Sequence, residues 1–307
     1  MQPAFRHGAA TPWGGSRLKQ TFQKKIPDDL TGESLECSVI PGLNSRDEQG
    51  RELSALIEKY GASLTGPGFV STFPLLLKFI DAEQKLSVQV HPDDAYAARV
   101  EGKQGKTEAW VILDCAEGAQ LVYGVKEGVT RTQLEEASRN GKAVEELLRF
   151  VPVHRGDVFY IPAGTVHAIG EGILIYEIQQ SSDVTYRFYD WDRKDAQGKG
   201  RELHLEKALD VVDLHMQGNA VQGRLLSKGR TLLLDEAYFS LERWQSADEE
   251  LLPDPSRFRI LTAIKPAVLS WNADTMRLQA GDTVLIPADT YPIRIDGEDV
   301  LIAAPTV

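Results

Sequence analysis

The sequence predicts a mainly β protein with a few helices, in which two related β-barrels stand in one chain. Two observations carry this. Short runs of aliphatic and aromatic residues, bounded by Gly, Pro or Asp, recur along the chain as they do in antiparallel sandwiches and barrels. One unit then repeats: Gly156-Asp-Val-Phe-Tyr-Ile-Pro-Ala163 returns about 125 residues later as Gly281-Asp-Thr-Val-Leu-Ile-Pro-Ala288. Each copy reads as a tight turn, a buried strand and a second turn, so one supersecondary unit occurs twice. The first copy continues to His167, where the second has Pro292. Chemistry that needs the histidine is therefore confined to the first barrel.

The elements follow in chain order. Residues 1 to about 50 are polar and turn-rich, with Thr11-Pro-Trp-Gly-Gly15 and Pro41-Gly42 as breakers, and read as extended segments laid against the main body. Leu53, Leu56 and Ile57 have the i, i+3, i+4 spacing of a short helix over Glu52 to Tyr60, which Gly61 ends. Strands are expected at Leu75–Ile80, Leu86–His91, Ala109–Leu113, Gln120–Gly124, Val158–Ile161 and Ile173–Gln179. Between them, Thr130 to Phe150 has a helix–Gly141–helix pattern, with Thr132 as N-cap and Glu135 or Glu136 in the first turn. A further helix is expected over Glu202 to Leu214, with Leu205, Ala208, Leu209 and Val212 on one face. Strands return from about residue 220 to the C-terminus, with a surface turn at Pro253 to Ser256. The expected division is a site-bearing unit over residues 1–215 and a second β unit over residues 216–307.

Charge and composition narrow the partners. Among 307 residues, 34 Lys and Arg stand against 45 Asp and Glu, a net charge of −11. Such a surface repels phosphate backbones and anionic lipid heads, which argues against nucleic acid and membranes. A phosphorylated metabolite would need a local basic pocket set against that field. Cys37 and Cys115 are too few for a disulfide framework or a thiolate zinc site. The longest apolar run, Phe73 to Ile80, is broken by Lys78 and far too short to span a bilayer. With no apolar stretch behind the N-terminal charge, a cytoplasmic protein is expected.

The residues able to do chemistry fall in two places. In Gly156-x5-Pro162-x-Gly164-x2-His167, the turn residues bend the chain so that His167 opens a strand facing into a small barrel. In Ser87-Val-Gln-Val-His-Pro-Asp-Asp94, period-two alternation sets Ser87, Gln89 and His91 on one face and Val88 and Val90 on the other. A polar face of this kind is as often a solvated outer surface. Lys106 and Glu108 share a face just before the apolar strand 109–113. Gln89, His91, Glu108 and His167 together supply two imidazoles, a carboxylate and an amide oxygen, a set suited to zinc or another divalent first-row metal. His7, His154, His204 and His215 read as surface or structural residues, and Asp93 and Asp94 as helix-capping residues. The tryptophans read as core or loop anchors, with Trp13 retained as a candidate for stacking on a sugar.

The strand-turn-histidine unit resembles the second metal motif of cupin barrels. Phe73-Pro-Leu-Leu-Leu-Lys78, Leu86 to Asp94, Gly105-Lys-Thr-Glu108, Thr11 to Gly15 and Glu202-Leu-His-Leu-Glu-Lys-Ala-Leu209 resemble type I mannose-6-phosphate isomerases over most of the chain. The resemblance implies two cupin-type jelly-roll barrels, the second lacking metal ligands, and one zinc ion per chain on Gln89, His91, Glu108 and His167. It implies that Arg187, in Ser181-Ser-Asp-Val-Thr-Tyr-Arg187, is the active-site arginine, with Ser87 and Lys106 near the substrate and Glu177 lining the pocket. Only 58 residues separate Glu108 from His167, as in the compact bacterial form, and Ile169 stands where longer relatives place a tyrosine.

The activity implied is interconversion of mannose 6-phosphate and fructose 6-phosphate, with a proton moved between C1 and C2 through an enediol. Glu177, Lys106 and a metal-bound water all remain open as the base, and Lys106 or Arg187 as the phosphate holder. A cupin that binds or senses sugar or sugar phosphate without turnover is the alternative. A cupin oxygenase fits less well, since Gln89-x-His91 is not the His-x-His pair such iron sites use. Oligomeric state is left open.

Overall fold

Residues 1–307 are described in a computed structural model, the side chains of residues 246 and 247 excepted. The first eleven strands are β1 (Ala4–Arg6), β2 (Glu33–Cys37), β3 (Leu75–Ala82), β4 (Val88–Val90), β5 (Glu108–Cys115), β6 (Gln120–Val125), β7 (Leu148–Pro152), β8 (Val158–Ile161), β9 (His167–Ala168), β10 (Ile173–Gln180) and β11 (Tyr186–Tyr189). They form a six-stranded sheet, β1-β2-β3-β10-β5-β8, and a five-stranded sheet, β11-β4-β9-β6-β7. Strands β12 (Arg224–Ser227), β13 (Arg230–Asp235), β14 (Phe239–Leu251), β15 (Arg259–Ala263), β16 (Ala267–Trp271), β17 (Asp274–Leu278), β18 (Thr283–Ile286) and β19 (Ile293–Pro305) make one eight-stranded sheet. The pairings are antiparallel, and the expectation of a mainly β chain holds.

The six-stranded sheet is the middle layer, buried on both faces. This explains why β3, Leu-Leu-Leu-Lys-Phe-Ile-Asp-Ala, is a continuous buried run rather than a clean alternation. Leu75, Leu77 and Phe79 of β3, with Val111 of β5 and Tyr176 of β10, pack against Phe239, Leu241, Ile260 and Leu301 from the eight-stranded sheet. The opposite face of the middle sheet carries Ile80, Trp110, Ile112 and Ile175, which pack against Leu121, Tyr123 and Val151 of the five-stranded sheet. Behind the five-stranded sheet, Val88, Val90, Val122, Ala168 and Phe188 meet two helices, α5 (Arg131–Arg139) and α6 (Leu205–Val211). Four helices precede these: α1 (Arg17–Phe22), α2 (Leu53–Tyr60), α3 (Ala62–Thr65) and α4 (Asp94–Glu101). No helix is long and apolar enough to cross a membrane among the described residues.

The repeated unit takes the same local form twice. Gly156 and Gly281 have φ of 94° and 89°, and each opens a four-residue strand, β8 and β18. The aspartate after each glycine caps its own turn. Asp157 Oδ2 accepts from His154 N at 2.8 Å, and Asp282 Oδ2 from Gln279 N at 2.8 Å.

Some expectations are corrected. Thr130, not Thr132, caps α5: it accepts from Gln133 N, and the Gln133 side chain returns to Thr130 N, a reciprocal capping box. No acidic residue stands in the first turn, so Glu135 and Glu136 lie further along. After Gly141 the chain forms a 3-10 turn, Gly141–Leu147, and then β7, where a second helix was expected through Phe150. Pairing of β7 with β6 leaves Leu148 and Val151 buried. The helix expected over Glu202 to Leu214 is only Leu205–Val211, and the strand Leu86–His91 shortens to Val88–Val90.

Candidate active site

Strand alternation builds the site. At one end of the space between the middle and five-stranded sheets, the inward positions change from apolar to polar. Lys78 of β3, Glu108 of β5 and Glu177 of β10 point inward from one side, in the parity of Ile80, Ile112 and Ile175. Gln89 of β4, His167 of β9 and Arg187 of β11 face them, opposite in parity to Val88, Ala168 and Phe188. Register fixes the neighbours: Gln89 is paired with both His167 and Arg187, and Glu177 lies opposite Lys78. The face of Ser87, Gln89 and His91 is thus interior, with Ser87 and His91 buried, and not a solvated surface.

His91, Glu108 and His167 are all about 1% exposed and present one ligand atom each within 4.8 Å of one another. His91 Nδ1 lies 2.9 Å from Val184 O, and His167 Nδ1 lies 2.9 Å from Thr165 O. A carbonyl only accepts, so each Nδ1 carries the proton and each Nε2 lone pair faces the cluster. Glu108 Oε1 is 3.3 Å from His167 Nε2, and Glu108 Oε2 is 3.6 Å from His91 Nε2. Burial, reinforced by Lys106, pushes the His167 imidazole down to about 3 and holds His91 well below its usual range. Both rings are therefore neutral at pH 7, the state that binds a metal. The Lys106 ammonium donates to His91 Nε2 at 2.8 Å and Glu108 Oε2 at 2.5 Å, so these lone pairs already converge on positive charge. Gln89 joins with its amide nitrogen 3.2 Å from His167 Nε2 and its oxygen accepting from Ser87. Rotation of the amide by half a turn would bring the oxygen to the same point. The donor set fits a divalent first-row metal.

Beside this cluster opens a small cavity of about 70 Å3. All the candidate residues outside the His-Glu-His cluster line it: Ser87, Gln89, Lys106, Glu177 and Arg187. Trp13 forms part of its wall but is itself only 3% exposed. Its ring sits where a side chain on Gly32 would be, a Cβ there lying 2.5 Å from the indole, so Trp13 is an anchored wall. Five cationic side chains and three acidic ones line the cavity, so a local positive excess exists inside a chain of net charge −11. Arg187 Nε has no hydrogen-bond partner among the described residues. Its guanidinium is depressed by burial and then by Arg201, yet it starts far above neutrality and stays charged. Glu177 accepts from Trp110 Nε1 at 2.9 Å, and Lys78 Nζ is 3.2 Å from its other oxygen. Burial, with Glu108 adding to it, raises the Glu177 carboxyl above the ordinary glutamate range.

The family model for the type I phosphomannose isomerase catalytic domain matches residues 6–133. A mannose-6-phosphate isomerase of Streptococcus mutans serotype c is 37% identical over 298 residues, 95% of this chain and 94% of that protein. The chain belongs to the type I phosphomannose isomerase family. The mannose-6-phosphate isomerase ManA of Bacillus subtilis (strain 168) is 39% identical, over 97% of this chain and 95% of its own. A crystal structure of the Bacillus subtilis mannose 6-phosphate isomerase superposes with a TM-score of 0.88 at 34% identity, covering 99% of this chain and 98% of that one. The phosphomannose isomerase family model reaches Gln89, His91, Lys106 and Glu108 but stops before His167, Glu177 and Arg187. The last three join the cluster through β9, β10 and β11.

Five charged lining residues lie outside the expected set: Arg6, Glu33, Lys78, Asp183 and Arg201. Lys78 carried a signal, as the one charge inside the apolar run Phe73 to Ile80. Lys78 Nζ lies 3.5 Å from Glu33 and 3.2 Å from Glu177; burial works to lower its pKa, and the two carboxylates outweigh that and raise it. Arg201 is held by Asp190 through two bonds of 2.7 and 2.6 Å, in a segment with no periodicity to read. The remaining histidines fall as expected: His7 pairs with Asp28 at the surface, and His204 accepts from the Arg187 backbone N–H.

Proposed function

We propose that this chain is a metal-dependent isomerase of mannose 6-phosphate and fructose 6-phosphate, acting in the cytoplasm by proton transfer between C1 and C2 through an enediol. The observation that carries this is the meeting of two neutral, Nδ1-anchored imidazoles with Glu108 beside a cavity lined by Arg187, Lys106 and Glu177. His91, Glu108 and His167, with Gln89, would hold one zinc ion or another divalent first-row metal. Such an ion, when bound, polarises the sugar carbonyl and offsets the charge that develops on its oxygen.

The chain's own residues do the rest. Arg187 and Lys106 hold the anionic substrate, and Ser87 bonds the sugar through its hydroxyl. Arg187, with its free Nε, also faces the charge that builds on the oxygens of C1 and C2. Glu177 Oε1, ion-paired with Lys78 Nζ at 3.2 Å, takes the proton from one carbon and returns it to the other. Trp110 fixes the other oxygen, so the carboxylate keeps one aim throughout. The walls of Trp13, Leu86 and Ile169 keep water from quenching the intermediate. The chemistry lies within residues 1–215, and residues 216–307 form a second unit that contributes no ligand.

Adding mannose 6-phosphate to the metal-loaded protein and following fructose 6-phosphate tests this directly. Steady conversion is expected, and binding without conversion would establish the non-catalytic sugar-binding alternative instead. The pH profile gives a second check. A base must be unprotonated, and the Glu177 carboxyl sits above the ordinary glutamate range, so kcat/KM rises with pH through that elevated value. Glu177→Gln should lower kcat on the order of 10²-fold and remove this acidic limb. An unchanged limb would assign the base elsewhere.

A further inference from the structure

The loop that carries Lys106 and Glu108 is held from outside the cavity, and the outermost support comes from the eight-stranded sheet. Gly105 packs directly on the start of α4: a Cβ there would lie 2.6 Å from the Asp93 carbonyl carbon and the Asp94 nitrogen. Lys106 N donates to Pro92 O at 3.0 Å, one residue beyond His91. Asp94 gathers the remaining bonds. Its Oδ1 accepts from Gly105 N at 2.8 Å and from Gln180 Nε2 at 3.0 Å. Gln180 Oε1 in turn accepts from Thr107 N at 2.8 Å, and Gln180 N donates to Thr107 O at 3.1 Å. Thr107, between Lys106 and Glu108, is bonded on both sides of its peptide.

Asp94 Oδ2 has a different partner, the hydroxyl of Tyr238 at 2.7 Å. Tyr238 lies 144 residues away, in the turn between β13 and β14. That turn is rigidly placed. Phe239 is fully buried and packs edge-on to Tyr160 at 6.4 Å, and Thr306 N closes on Tyr238 O at 3.2 Å. The bond is charge-assisted and short, the kind strong enough to set a carboxylate's orientation. Burial, with Asp94 adding to it, pushes the Tyr238 phenol up to about 12, so it remains a donor across the neutral range.

We propose that Tyr238 is a positioning residue: through Asp94 and Gln180 it fixes the 105–108 loop, and thereby sets Lys106 and Glu108 against His91. This gives the eight-stranded sheet a part in the reaction although it offers no group to the cavity. It rests on the function proposed above for its kinetic consequence, but not for its structural one.

Tyr238→Phe removes one oxygen and keeps the ring. Amide hydrogen exchange at Gly105 and Thr107 should quicken about tenfold, the change expected when a local opening loses one charge-assisted hydrogen bond. The kcat should fall roughly three- to tenfold with KM within about twofold, because positioning and not substrate binding is impaired. Asp94→Asn, whose amide can still bond both Gly105 and Tyr238, should retain most of the rate that Asp94→Ala loses. A merely structural tyrosine would lower Tm and leave exchange at the two amides and kcat as in the parent protein, and that result overturns the proposal. If the parent protein does not isomerise mannose 6-phosphate, the functional reading fails separately. The exchange of Gly105 and Thr107 then decides the positioning role alone, and unchanged exchange refutes it.

Discussion

Replacing Glu108 by Gln should strip most of the divalent metal from the protein and cut kcat/KM for mannose 6-phosphate by on the order of 10³-fold. The substitution is nearly isosteric and removes one charge. Glu108 is the one carboxylate of the His91–Glu108–His167 group, with its two oxygens directed at the two imidazoles. A metal supplies several kcal/mol of charge stabilisation to a reaction of this kind, and about 4 kcal/mol corresponds to about 10³ in rate. A cost in stability comes with it. The Lys106 ammonium, 2.5 Å from Glu108 and only 6% exposed, loses its counter-charge, and breaking such a buried pair is worth about 3–5 kcal/mol. Melting must therefore be followed beside activity, at a temperature where the variant is folded. Chelation of the parent protein should reach the same low rate, with zinc restoring the parent but not the variant. A Glu108→Gln protein with a full metal complement and undiminished turnover would remove Glu108 from the ligand set. An unaffected parent in chelator would remove the metal from the reaction.

How much of this site was legible in the sequence depended on whether its signal was local. The Ser87-x-Gln89-x-His91 alternation is a local fact about a strand, and the fold keeps its parity: Val88 and Val90 go to the helix-covered side and the polar residues inward. Gly156, Pro162 and Gly164 are local too, and they place His167 at the head of a two-residue strand that no pattern of hydrophobicity could have found. The pairing of Gln89 with His167 and Arg187 is not local; it depends on a sheet order, β11-β4-β9, that crosses almost a hundred residues. Family likeness supplied those partners before the topology did. Lys78 was visible only as an interruption of an apolar run, because the face it takes depends on which neighbouring strands cover β3. Arg6 and Arg201 had no signal at all, since an edge strand and an irregular segment carry no periodicity. The mistaken second helix after Gly141 has a similar origin. Apolar residues at helical spacing in 142–150 were also compatible with the strand that β6 offers to pair with.

The same distinction applies to charge. A net of −11 is a property of the whole surface, and at physiological ionic strength its reach is only about 8 Å. Inside the cavity the neighbouring groups decide. Arg6, Lys78, Lys106, Arg187 and Arg201 outnumber Glu33, Glu177 and Asp183 there, and most of these are buried or half-buried, where screening is weak. Lys78 is already engaged by Glu33 and Glu177, Lys106 by Glu108 and Arg201 by Asp190. Arg187 is the cation lining the cavity whose guanidinium makes no ion pair among those of the described residues.

That freedom is what Arg187→Ala tests. The expected result is a loss on the order of 10³-fold in kcat/KM, about 4 kcal/mol, with metal content and Tm close to those of the parent. Metal should stay because Arg187 touches none of His91, Glu108 and His167 by hydrogen bond or ion pair. Stability should hold because its backbone, which bonds His204 in both directions, is untouched by the substitution, and its buried Nε has no partner to abandon. Removing an unpaired buried charge can even favour folding. Arg187→Lys should recover only part of the rate, since an ammonium keeps the charge but not the planar fork that meets two oxygens at once. Added guanidinium ion should rescue the alanine variant more than an equal concentration of ammonium, at a salt level where the parent is unaffected. Should the alanine variant lose its metal together with its activity, Arg187 would be a support of the metal cluster, through Gln89 opposite it in the sheet, and not a group that meets the substrate. Equal rescue by both ions would place its contribution in charge alone.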